Sequence, residues 1–279
     1  MATWSLMDLQ LFYHQKQISN MKFNNRNVYI DPSVVIGNNV KIGDNTIIYP
    51  NVIIGDNTTI CNDCVIGEPS SLYYKDELNY INPPTIIGSD SLIRSHCIIY
   101  SGSVFGEGLI TGHRATVREK AKFGKNCLIS TLVDVQGNCE VGDYSRLYSN
   151  VHIGEKTKIG KYVFIFPYTV FTNDPLPPSD ILLGATVGDY SIITVHCSIL
   201  PGVTIGQNCL IGANSVVSRD ILDYSFAIGS PAKIKLDIRD IPSKQNPDEK
   251  YYPWPNNFKR GMPWENSDFE KWTKENTYD

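Results

Sequence analysis

Phe123-Gly-Lys-Asn-Cys-Leu-Ile129-Ser-Thr-Leu-Val-Asp-Val135-Gln-Gly-Asn-Cys-Glu-Val141-Gly-Asp-Tyr-Ser-Arg-Leu147 carries one apolar residue at every sixth position. The interval extends in both directions. It runs back through Val117, Phe105, Ile99 and Ile93 to Ile87, and forward through Ile153, Ile159 and Ile165 to Phe171. Ile30 to Ile66 and Val187 to Val217 keep the same spacing, and within the central run only Thr111 departs from it. A period of six cannot hold one face of a 3.6-residue helix. Four residues after many of these apolar positions stands a small residue, such as Cys97, Cys127, Cys139 or Ser145, often with Gly or Asn between. One large and one small inward residue per unit describe a short flat strand and a tight bend, which Asn and Gly make cheaply. Three such edges close a coil of about 18 residues whose strands pair with the next coil at roughly 4.8 Å. No unit buries its own core, so the units must stack.

This pattern resembles the hexapeptide-repeat family of left-handed parallel β-helices. The resemblance implies an all-β domain over residues 28–234, a left-handed coil, acyl-CoA-dependent acyl transfer and a homotrimer. Residues 1–27 then form an N-terminal cap with a helix from about Met7 to Ser19, and 235–279 a C-terminal extension. The extension is expected to cover an open end of the prism or a neighbour. A short helix is expected over 264–272, capped by Ser267 or Asn266.

A formal charge of −4 without basic blocks argues against nucleic acid as a partner. The sequence shows neither a membrane span nor a secretory signal, so a cytoplasmic protein is expected. Six of seven cysteines fall at the small inward position and read as compact core residues. Cys61 and Cys64 form a lone C-x-x-C of differing repeat phase, so no metal is expected.

Binding residues tend to sit where a rigid scaffold is interrupted. One interruption, at 67–86, holds Tyr73, Tyr74, Lys75, Asp76 and Glu77 and suits either a substrate pocket or packing. A second spans 172–186 and opens Thr172-Asn173-Asp174. Asn-Asp-Pro is ordinary turn chemistry; the family resemblance instead implies that Asn173 and Asp174 contact a nucleotide-linked sugar. The ending Ser218-Arg219 to Pro231-Ala232-Lys233 is similar to the family's acyl-CoA-binding terminus. That likeness implies cosubstrate contacts from Ala213, Ser218, Arg219 and Lys233, the two cations facing phosphates.

Acyl transfer needs a base and an oriented acceptor. His113 follows the one lapse of the repeat, and the resemblance makes it the mid-coil histidine of the family; a surface turn is the alternative. Glu119 is a candidate to fix its tautomer. Asp134 and His152 stand eighteen residues apart, one coil, and form either a catalytic pair or a structural one. Tyr148 and Asn150 are candidate acceptor contacts. The resulting expectation is an N-acetyltransferase using acetyl-CoA or another acyl-CoA on a dTDP-linked 3-amino- or 4-amino-6-deoxyhexose. A sugar O-acetyltransferase and a non-catalytic scaffold are the alternatives. The zinc carbonic anhydrase of the same fold lacks its close histidine pair here, and a nucleotidyltransferase would need a domain for which 27 residues are too few.

Overall fold

The computed structural model describes residues 25–243 and 250–276. The expected helix at Met7–Ser19 and His14 lie outside them. Strands of two to five residues form three sheets wrapped around one core. The first face has ten strands, from Tyr29–Ile30 to Val216–Val217. The second has nine, from Val35–Ile36 to Thr204–Ile205. The third has eleven, from Lys41–Ile42 through Leu210–Ile211 to a closing hairpin, Ser225–Ile228 and Lys233–Asp237. Along the coils of the described residues, strands three apart in sequence are neighbours and pair in parallel, whereas the closing hairpin is antiparallel.

The register explains the repeat. Ile129 pairs with Leu147, and Leu147 with Ile165, so each inward residue stacks on its equivalent one coil away. Ile129 and Ile205 are fully buried and Ile42 is nearly so, as the sixfold pattern requires. The six inward cysteines are buried as well, and burial pushes the Cys127 and Cys139 thiols up to about 12. They pack as apolar side chains, their thiols directed at bend carbonyls such as those of Gly142 and Gly154.

Bends are equally specific. Asn126 and Asn138 take positive φ there, and so do Leu132, Tyr144 and Tyr162, which tolerate it less well. A Cβ on Gly124 would lie 2.7 Å from the Asp143 backbone nitrogen, so the coils approach closer than any side chain allows.

The sequence reading changes at two places. The lapse of the repeat at Thr111 leaves the core filled. Thr111 is buried, its hydroxyl accepts from the Arg94 backbone N–H at 2.8 Å, and it touches Cys97 Sγ at 3.3 Å. A β-branched threonine fills the space of valine, and its one polar atom is satisfied. The C-terminal extension, for its part, covers a side of the prism. Trp254, Met262 and Trp264 pack on Tyr162, Phe164 and Ile192 of the third face. Its helix runs Phe269–Asn276, and the residue closing its first turn is Asp268, whose Oδ1 accepts from Lys271 N–H at 2.6 Å.

Candidate active site

Outward positions on the first face form columns with one residue per coil. Thr116, Asp134 and His152 occupy successive rungs of one column. Asp134 pairs with His152 in register, and His152 Nδ1 lies 2.9 Å from Asp134 Oδ2. A carboxylate only accepts, so Nδ1 carries the proton and Nε2 keeps the lone pair. The same Oδ2 accepts from Gln136 Nε2 at 2.9 Å. The His152 hydrogen bond is the main reason that Asp134 sits below the usual carboxylate range; burial opposes it and Gln136 reinforces it. Both side chains of the pair are about two-fifths exposed, which leaves the imidazole accessible while its tautomer is fixed.

Beside this column the chain turns from the first face to the second, and both interruptions of the repeat occur at that corner. One loop, 69–84, joins Val65–Glu68 to Thr85–Ile87; the other, 172–185, joins Val170–Phe171 to Thr186–Val187. Between them the corner stacks Ser101, Glu119 and Gly137, whose carbonyls accept from the backbone N–H of Lys120, Asn138 and Lys156 one coil further on. Ser101 to Glu155 is three rungs, roughly 14 Å.

This uninterrupted stretch is the floor of a trough of about 470 Å³, walled on one side by Leu72, Tyr80 and Pro83 of the first loop. Such a volume falls within the range of small-molecule sites. The second loop rests on the rung of Glu155: Gly184 packs against the Lys156 backbone, and Asn173 lies beside Gly154.

The floor is charged but internally paired. Arg118 donates from Nε and Nη2 to both oxygens of Glu119 at 2.9 and 2.8 Å, and its guanidinium lies 4.7 Å over the Tyr100 ring. Burial is the largest influence and works to raise the Glu119 pKa, but the Arg118 fork, a backbone hydrogen bond and the charges of Arg118 and Lys120 together keep the carboxyl below its ordinary value. Glu155 accepts from the Asn138 amide at 3.0 Å. Gln136 belongs both to this floor and to the Asp134–His152 pair.

Other candidates lie elsewhere. His113 Nε2 is 3.0 Å from Arg94 Nη2; arginine offers no acceptor, so that nitrogen accepts and its lone pair is taken. Glu119 does not reach His113. Six residues separate them, one whole edge of the coil, so they occupy different corners and Glu119 turns to Arg118.

Tyr73 donates to Glu77 at 2.6 Å, while the Tyr74 hydroxyl lies 3.4 Å from Glu68; of the loop tyrosines, Tyr80 reaches the trough. Tyr148 packs on Phe166 toward the C-terminal aromatic cluster, and Asn150 takes a positive-φ bend. Asp174 fastens its own loop, accepting from the backbone N–H groups of Leu176 and Ser179 and from the Ser179 hydroxyl. Asn173 uses its carbonyl to hold Leu183 N–H. Ala213, Ser218, Arg219 and Lys233 are exposed near the C-terminal end of the prism.

Arg118, Gln136, Asn138 and Glu155 went unnoticed in the sequence. Counting in coils would have found them, because Ile99 and Phe171 are four coils apart in one column and both loops leave from that column. Among the described residues no group of three or more His, Cys, Asp or Glu is placed to hold a metal, and no helix is long and apolar enough to cross a membrane.

Comparison with known proteins agrees with this architecture. Residues 184–219 match the family profile for the bacterial transferase hexapeptide (six repeats), and 24–121 that for the GMPPB C-terminal domain. A Staphylococcus aureus (strain COL) protein provisionally named an acetyltransferase is 50% identical over 56 residues, 19% of this chain. The match spans only 28% of that relative's length. The acyl-[acyl-carrier-protein]–UDP-N-acetylglucosamine O-acyltransferase of Campylobacter concisus (strain 13826) is 24% identical over 183 residues, 56% of this chain and 70% of that protein. The solved structure of Arabidopsis UDP-N-acetylglucosamine acyltransferase superposes with a TM-score of 0.62 at 19% identity, covering 75% of this chain and 72% of that one. The chain is thus a β-solenoid of hexapeptide repeats, similar in part to the bacterial transferase hexapeptide family.

Proposed function

We propose that the protein is an acyltransferase that moves an acyl group from a thioester to the sugar of a nucleotide-linked sugar, with His152 as general base. The observation that carries this reading is the oriented His152–Asp134 pair beside the trough. Nε2 of His152 takes the proton of the acceptor hydroxyl as its oxygen attacks the thioester carbonyl. The carbon–sulfur bond then breaks, and the departing thiolate recovers that proton. Asp134 holds the tautomer and stabilises the transient imidazolium.

Three supports converge. The repeat is that of a family with transferase profiles. The relatives above carry acyltransferase or acetyltransferase names, two of them specifying UDP-N-acetylglucosamine. The trough provides hydroxyl, amide and carboxylate groups along one stacked corner.

A hydroxyl is favoured over an amine as acceptor because an alcohol depends more on a base, and this pair supplies one. The amino-sugar expectation leaned on Asn173 and Asp174, and Asp174 is occupied within its own loop. Arg219 and Lys233 are assigned the phosphates of coenzyme A, or of the phosphopantetheine of a carrier protein. The working form is assigned as a homotrimer in the cytoplasm, where thiols such as the buried Cys127 and Cys139 persist.

The test is a panel of nucleotide sugars with acetyl and longer acyl donors, each on coenzyme A and on carrier protein, read by product mass. Transfer to a sugar hydroxyl is expected, lowered about 10²–10⁴-fold in His152→Asn. Undiminished transfer in that variant refutes the assignment of the base; product acylated only on an amine refutes the hydroxyl. Sedimentation reads the oligomer.

A further inference from the structure

We infer that the trough holds the hexose ring of the substrate and leaves the diphosphate outside, and that Gln136 is the positioning residue linking the bound hexose to His152. This deepens the proposed function and rests on it for the identity of the ligand.

Charge is the first argument. The lining carries two cations, Arg118 and Lys120, and two anions, Glu119 and Glu155. Arg118 is already committed, two hydrogen bonds to Glu119 and its face to Tyr100. A diphosphate lying on this floor would meet the Glu119 and Glu155 carboxylates without an uncommitted arginine fork to offset them. A neutral ring with many hydroxyls meets no such opposition. Carboxylates and amide oxygens accept its O–H groups, and Asn138, Ser70 and Ser101 add groups that also donate. Tyr80 and Pro83 on the facing wall give its C–H surface an apolar partner.

Gln136 supplies the link. Its Nε2 donates to Asp134 Oδ2, the oxygen that also takes the proton-bearing nitrogen of His152. Because Asp134 can only accept, the amide nitrogen is fixed toward it and the carbonyl oxygen is left as an acceptor. A sugar hydroxyl bound to that oxygen would fix the orientation of the amide, and with it the carboxylate that aligns the imidazole. Charged groups near the pair are Asp134 itself and Arg118, whose charge contributes to lowering Asp134. Gln136 is half-buried at the surface of the first face, outside the stacked core.

The experiment compares wild type with Gln136→Leu by calorimetry, using UDP, UDP-N-acetylglucosamine, UDP-glucose and dTDP-glucose as probes. Thermal midpoints of both proteins report the fold. At least one sugar-bearing probe is expected to bind more tightly than its own nucleotide diphosphate. Its Kd is expected to rise about tenfold in Gln136→Leu, the loss of about one hydrogen bond, with the Kd of UDP unchanged. The Nδ1–H resonance of His152, followed by NMR at one fixed pH, is expected to shift in the variant, since Asp134 Oδ2 then serves His152 alone.

Equal loss for UDP and the UDP-sugars would overturn the inference, as would an unmoved histidine resonance. Absence of binding by every sugar-bearing probe at millimolar concentration would do the same. Failure of the functional reading looks different: the binding contrast and histidine shift survive, while no acyl donor gives product.

Discussion

The third face and the first face are built from the same six-residue unit and differ only in what points outward. On the third face Arg146, Phe164 and Ile192 occupy the outward column, flanked at the bend by stacked Tyr144, Tyr162 and Tyr190. That surface is apolar, and the chain covers it with its own C-terminal segment. Trp254 Nε1 donates to Tyr190 O at 2.8 Å, and Arg146 reaches Arg260 O at 2.8 Å between the rings of Phe164 and Phe258. The first face instead carries Thr116, Asp134 and His152, polar groups of which the last two bond to each other. An identical scaffold thus yields a packing surface or a reactive one according to a few outward residues, because the core contacts only the inward ones.

The sharpest way to break this contrast is to remove the reactive group. His152→Asn should cut kcat/KM about 10²–10⁴-fold while leaving the thermal midpoint near that of wild type. His113→Asn should leave kcat/KM close to wild type, because its Nε2 already accepts from Arg94; a collapse of turnover there would move the base to the other corner.

On the covered face the effect should be structural. Trp264→Ala empties a fully buried site and should cost about 3–5 kcal/mol in docking of the C-terminal segment. Limited proteolysis should then cut within 250–276 while the coils stay intact. A global loss of the fold would instead make the segment part of the prism's core.

A smaller effect concerns pH. The folded pKa of Asp134 is lowered, chiefly by His152, so its contribution to stability is present above the ordinary carboxylate value and is lost as pH falls through the lower folded one. Urea midpoints of wild type should therefore exceed those of Asp134→Asn at pH 6 and converge with them in acid. A difference that grows in acid would refute the pairing. Exposure of both groups keeps the effect small.

Smallest is a gain. Leu132 is exposed and holds φ at 59°. Leu132→Asn should stabilise by about 1 kcal/mol, since asparagine enters that backbone region at less cost. A lower urea midpoint would show that Leu132 makes a contact worth more than its strain.

Much of the fold was legible because the inward pattern is redundant: each apolar column is written many times, so the lapse at Thr111 changes nothing. The Asp134–His152 contact was legible for the same reason, eighteen residues being one coil. Glu119 read as a partner for His113 and Arg118 passed unremarked, since nothing in a linear sequence marks which ion pairs form. Asp174 read equally well as a substrate contact and as a turn cap, and the positions of Leu176 and Ser179, which make the cap, appear only in three dimensions.

By itself the sequence determined the period, the inward columns and the places where the coil is interrupted, because these depend on spacing along the chain. Tertiary structure alone decided that a trough lies between the two interruptions and that the C-terminal tryptophans lie along a side. Those outcomes depend on which outward groups meet across coils and loops, and the repeat places no constraint on the chemistry of outward positions.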